Sequence, residues 1–140
     1  MTREKTMRSV LRSYIPFFIW LLLAAFALTP SGAGAVEGEY AAVESQLRLA
    51  HDLVAQERWA EVARLKVAPA GAPIWAAFPA TERELVYARG LGAARGGYRA
   101  MAWHAIERLE LVRSRAQAEG NGPCAERAAF LQAALRRELD

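Results

Sequence analysis

Apolar residues recur along residues 40–56 at Val43, Leu47, Ala50 and Val54, with Leu53 beside them, at steps of four, three and four. That spacing draws one stripe on a cylinder and predicts an α-helix. A shorter helix is predicted over residues 58–67. There Trp59, Val62, Ala63 and the stem of Lys66 share one side, while Glu57, Glu61 and Arg64 face water. The next stretch, residues 68–80 (APAGAPIWAAFPA), breaks the pattern with Pro69, Gly71, Pro73 and Pro79 and reads as a connector. Trp75 and Phe78 within it predict that the connector folds back over the helices, because large apolar rings left in water cost solubility.

Thr81-Glu82-Arg83-Glu84 has the spacing of a capping box, so a helix is expected to start at Thr81. It carries Leu85, Val86, Ala88, Leu91 and Ala94 to the pair Gly96-Gly97. A long helix then presents Tyr98, Met101, Ala102, Ala105, Leu109, Val112 and Ala116, and Gly120-Asn121-Gly122-Pro123 stops it. From Pro123 a last stripe of Cys124, Ala128, Leu131 and Leu135 leaves Phe130 and Leu139 off the packed side, where they are expected to be exposed. The pattern predicts an all-α domain. A first helix pair (residues 40–67), the Pro-rich connector (68–80), a second pair (81–119) and a capping helix (123–139) succeed one another, with short turns that make neighbours antiparallel.

The start of the chain is of another kind. Residues 14–28 form an unbroken apolar run of fifteen, preceded by Arg3, Lys5, Arg8 and Arg12 and followed by TPSGAGA. Those are the three regions of a secretory signal peptide over residues 1–35. The run is short of the roughly 20 residues a membrane-spanning helix needs, and Pro30, Gly32 and Gly34 are expected to end a helix just past it. Ala33 and Ala35 supply the small-x-small cleavage site, which makes residues 36–140 the exported, periplasmic domain. Retention of the same segment as an inner-membrane anchor is the alternative, in which case this segment is the chain's only membrane contact.

Charge removes a further class of function. The whole formal excess of +3 lies within residues 1–35, and the rest carries fourteen basic and fourteen acidic side chains, so the body has no field to draw nucleic acid. Sixteen of the eighteen basic residues are arginines, a bias that fits a GC-rich bacterial genome. One cysteine, Cys124, cannot close a disulfide within the chain, and its position beside a helix start reads as packing. After residue 35 the polar inventory is Ser45, Ser114, Thr81, Lys66, Asn121, His51 and His104, apart from glutamines and the carboxylates and arginines. It offers no nucleophile with a base beside it, and no zinc motif joins the two histidines. Gly90-Leu91-Gly92-Ala93-Ala94-Arg95 departs from a dinucleotide fingerprint at Arg95 and lacks a preceding strand, so its glycines read as helix-packing positions. The reading is therefore non-enzymatic, with no cofactor and no metal. Behind the membrane-tethered adaptor, the further alternative is a small enzyme or metal-binding protein, for which Cys124 with His104 and His104 with Glu107 are the pairings to name.

Residues 84–111 (ELVYARGLGAARGGYRAMAWHAIERLEL) resemble a tetratricopeptide-type helix-turn-helix. Gly90 is the small residue of the first helix, Gly97 the turn glycine and Ala102 the small residue of the second, with Ile106 and Leu109 beyond it. The first pair matches more loosely, with Ala50, then Glu57 at the turn-glycine position and Val62 where alanine is usual. The turns lie forty residues apart against about 34 in that family. The resemblance implies close helix crossing at Gly90 and Ala102, with Gly97 grouped among these packing residues. It also implies a groove that binds a protein or peptide. Two pairs and a cap are fewer than the three repeats such proteins use, which implies a short relative of a longer array, or a core completed by a partner or a second copy. Trp103, one step off the apolar stripe of its helix, and Phe130 are the expected partner-binding residues. Arg83, Arg95, Arg99, Arg113 and Arg115, balanced by Glu82, Glu107 and Glu110, read as a solvated face.

Overall fold

A computed structural model describes the backbone of residues 29–140 and the side chains from residue 38. Residues 1–28, with the basic and apolar regions of the expected signal, lie outside the described residues, as do the side chains of Ala33 and Ala35. The chain divides into two compact units, Met1–Ala41 and Ala42–Asp140. All regular structure among the described residues is helical: α1 Thr29–Ala55, α2 Trp59–Ala63, α3 Ile74–Ala77, α4 Pro79–Gly96, α5 Arg99–Ala118 and α6 Gly122–Leu139. No helix among them is long and apolar enough to cross a membrane.

Several boundaries differ from those the pattern predicts. Helix α1 already includes Pro30, Gly32 and Gly34, which were expected to end a helix. Helix α2 spans five residues, since Leu65 and Val67 leave the helix to pack on the core and Pro69 disfavours helical backbone just before it. The connector contains the one-turn helix α3, and its last residues, Pro79 and Ala80, belong to α4. Phe78 caps α4 and Pro79 takes the first turn, so Thr81 lies inside the helix and the expected capping box is not formed. Glu84 binds Arg83 and Arg127 instead. Asn121 caps α6 with its side chain, accepting a hydrogen bond from the Cys124 amide at 3.2 Å.

Three turns in the second unit share one geometry. After α1 the chain passes through Glu57 (φ 56°), after α4 through Gly97 (φ 86°) and after α5 through Gly120 (φ 76°). In each, the residue after the left-handed one donates its amide five residues back: Arg58 to Leu53 O (3.0 Å), Tyr98 to Ala93 O (2.7 Å) and Asn121 to Ala116 O (2.8 Å). That bond closes the exposed carbonyls of a helix end. The next residue starts a new helix every time, from nearly the same backbone angles at Arg58, Tyr98 and Asn121. Gly97 has open space around its α-carbon, so it serves the turn and not the helix packing expected of it.

The core of the second unit falls into three clusters of buried residues. Val43, Ala50 and Leu53 of α1 meet Val62, Trp75, Leu85 and Ala88. Trp75 is fully buried, with its indole N–H donating to Ala68 O at 3.0 Å, so the connector does fold back. Farther along, Leu91, Ala102, Ala105, Ile106, Leu109, Leu131, Leu135 and Leu139 pack α4, α5 and α6 together. Leu139, expected to be exposed, is buried because it continues the stripe four residues beyond Leu135, and Arg99 holds its carbonyl at 3.0 Å. A β-carbon on Gly90 would stand 2.6 Å from Ala105 Cβ and 2.8 Å from a Leu135 methyl. The close crossing at Gly90 is therefore real, but its partners are Ala105 and Leu135. Ala102 is buried elsewhere in the same cluster. Gly92 allows the second close approach, to Val62 and the Trp59 carbonyl of α2.

Candidate functional site

A buried polar network sets the position of α5. Glu82, fully buried on α4, accepts from Arg108 at 3.2 Å and from Arg115. Arg108 also donates to the Ala68 carbonyl and lies 5.8 Å from the Trp75 ring centre. A buried carboxylate is tolerated only when its charge and lone pairs are met, and two guanidinium groups meet them here. Sequence reasoning placed Glu82 and Arg115 on a solvated face, which the structure corrects. The usable signal was helical spacing: Glu82 lies three residues before buried Leu85, and Arg108 and Arg115 sit seven apart on one side of α5.

On α5 held in this way, Trp103 is 42% exposed. It lines an open groove of about 430 Å³ with Ile106, Glu107, Glu110, Gln132 and Arg136, between α5 and α6. Gln132 is buried beside the groove and bridges the helices, donating to Ile106 O at 3.1 Å and to Glu110 Oε1 at 3.2 Å. Hydrogen bonds from Arg113 first, then Gln132, hold the Glu110 carboxyl below its usual range. Glu107 and Arg136 form no ion pair among the described residues, so the groove offers one free charge of each sign beside an aromatic ring.

Phe130, the other expected binding residue, is 57% exposed but has different neighbours. Its ring centre lies 5.4 Å from the Arg127 guanidinium, which binds Glu84 of α4 at 3.1 Å. It does not line the Trp103 groove, so the two residues are not brought together. Burial pushes the Glu84 carboxyl up, but the Arg127 and Arg83 hydrogen bonds outweigh it and leave the group lower than usual. Cys124 is a free, buried thiol packed among Val112, Ala116, Ala125 and Ala128. His51 and His104 are both exposed, and no three potential metal ligands gather among the described residues.

Compared with family models, curated proteins and solved structures, the chain matches none.

Proposed function

We propose that this chain is a non-catalytic protein- or peptide-binding module, exported and built from helix-turn-helix pairs of tetratricopeptide type, that holds its partner in the groove between α5 and α6. The observation that carries the reading is the Trp103 ring, left 42% exposed beside that groove while most aromatic bulk of the second unit is packed. Exposed tryptophan next to unpaired polar groups is the composition of a binding hot spot, since one ring removes much apolar area from water on docking. The shared left-handed turn at Glu57 and Gly97, each closed by the same five-residue hydrogen bond, supports the helix-turn-helix reading. No cofactor and no nucleic acid enter this function.

A crosslinking pulldown from the exported fraction, with the wild type and Trp103→Asp compared, tests it. The wild type is expected to capture a discrete partner and the variant to lose it while keeping its helical circular dichroism. Equal capture by both moves the site elsewhere. Cleavage after Ala35 is the accompanying proposal for export, supported by the residue pattern of the first 35 positions. Mass spectrometry showing a mature start at Val36 is the expected result, and a membrane-bound chain of full length favours the anchored adaptor.

A further inference from the structure

The helical spacing of α5 puts a second set of residues on the side away from Trp103. Met101, His104, Ala105 and Arg108 of α5 face Val86 and Arg89 of α4 across a cleft of about 240 Å³ that shares no residue with the groove. Its charge is unbalanced. Arg108 is paired with Glu82, whose other oxygen is taken by Arg115. Arg89 has no carboxylate partner among the described residues. Its Nε donates to the Ala63 carbonyl at the end of α2 at 3.3 Å, which fixes the group and leaves its two terminal nitrogens unused by any described acceptor. Burial first, and then the charge of Arg108 nearby, lower its pKa, so the site strains against its own positive charge.

We propose that this cleft is a binding site for a small organic carboxylate with an apolar body. The guanidinium fork of Arg89 takes the two carboxylate oxygens, because a planar pair of N–H donors matches that geometry and a half-buried cation gains most from an anion that neutralises it. Val86, Met101 and Ala105 line the rest of the cleft and receive the hydrocarbon part. The ligand is bound as the anion, and no bond is made or broken. A cleft of about 240 Å³ has room for a chain the size of hexanoate. The apolar lining favours this class over inorganic phosphate, which leaves those three side chains unused. This assignment is independent of the Trp103 groove and stands or falls separately from it.

Titration calorimetry of the full chain with hexanoate, hexanol and inorganic phosphate tests the proposal. Saturable binding of hexanoate is expected, with the alcohol and phosphate each weaker by about tenfold or more. Arg89→Gln is expected to weaken hexanoate by about tenfold. Because Arg89 also caps α2, a second variant, His104→Glu, leaves the fold untouched at an exposed rim position and is expected to weaken hexanoate by repulsion at the mouth. Wild-type affinity in His104→Glu together with wild-type affinity in a folded Arg89→Gln overturns the site. So does the absence of saturable hexanoate binding. Phosphate binding as tightly as hexanoate overturns the ligand class.

Discussion

The first and second helix pairs use one turn to different ends. At Glu57 and at Gly97 the backbone takes the same left-handed residue, closes the same five-residue hydrogen bond and enters the next helix from similar angles. Yet α2 lasts five residues and α5 twenty. The turn fixes the reversal of direction and leaves helix length to the residues beyond it. After α2 come Leu65, Val67 and Pro69, which trade helix for packing. After the start of α5 an uninterrupted stripe from Ala102 to Ala116 gives each added turn a buried face. The short second helix of the first pair is then held from outside, by Gly92 beneath Val62 and by Arg89 on the Ala63 carbonyl.

The largest expected effect lies where the connector and the second pair share a buried charge. Glu82→Ala leaves Arg108 and Arg115 without their carboxylate and is expected to cost about 3 kcal/mol in urea unfolding. A loss below about 0.5 kcal/mol, the size of an ordinary surface change, would put Glu82 back on a solvated face. Next comes Gly90→Val. Its β-carbon meets Ala105 Cβ and Leu135 within 2.8 Å, so α4 must shift from α5 and α6, at a cost of about 2 kcal/mol. Calorimetry showing an unchanged melting temperature would mean that the second pair crosses elsewhere. Gly97→Ala has free space for its methyl and bears only the strain of left-handed backbone, about 1 kcal/mol.

These variants also separate what was legible in the residues from what was not. The second pair and α6 were legible because their stripes are long and bounded by Gly96-Gly97 and Gly120-Asn121-Gly122-Pro123. Docking of the connector was legible from Trp75. The Gly90 crossing was legible too, but spacing alone puts its partner one turn early at Ala102, since spacing reports a face and not a contact. The Glu82 network was illegible to polarity alone, which counts a carboxylate as exposed unless its two arginines, 26 and 33 residues away, are known to reach it. Thr81 misled because the capping pattern ignores a proline two residues earlier that already starts the helix. Of the candidate site, Trp103 was legible by its offset from the stripe. Gln132 and the Arg89 cleft depend on how helices pack, which one helix's pattern does not carry.

The smallest effect is electrostatic and lies between α4 and α6. Arg95 binds Glu138 through two hydrogen bonds of 3.0 and 2.8 Å, and the Glu138 carboxyl is held below its ordinary value of 4.5 by them. A carboxyl depressed in the folded state contributes stability above its unfolded value, and that contribution disappears as pH falls through the folded one. Solvent screens this half-exposed pair, so Arg95→Ala is expected to cost about 0.5 kcal/mol near pH 7 and progressively less as pH falls below 4.5 and on through the lowered folded-state value. A cost that persists in acid would assign Arg95 a packing role, through its position over the Trp59 ring.

That the chain repeats one helix-turn-helix unit is the claim beneath the binding-module reading, and Glu57 tests it most directly. Glycine normally weakens a folded chain through its extra freedom when unfolded, but at a left-handed position it removes the strain of a side chain. Urea unfolding of Glu57→Gly is predicted to show a protein more stable than wild type by about 0.5 kcal/mol, the strain relieved less the entropy added. A protein less stable by about that amount would contradict the account, because Glu57 would then stand on ordinary backbone and the first pair would not share the turn of the second.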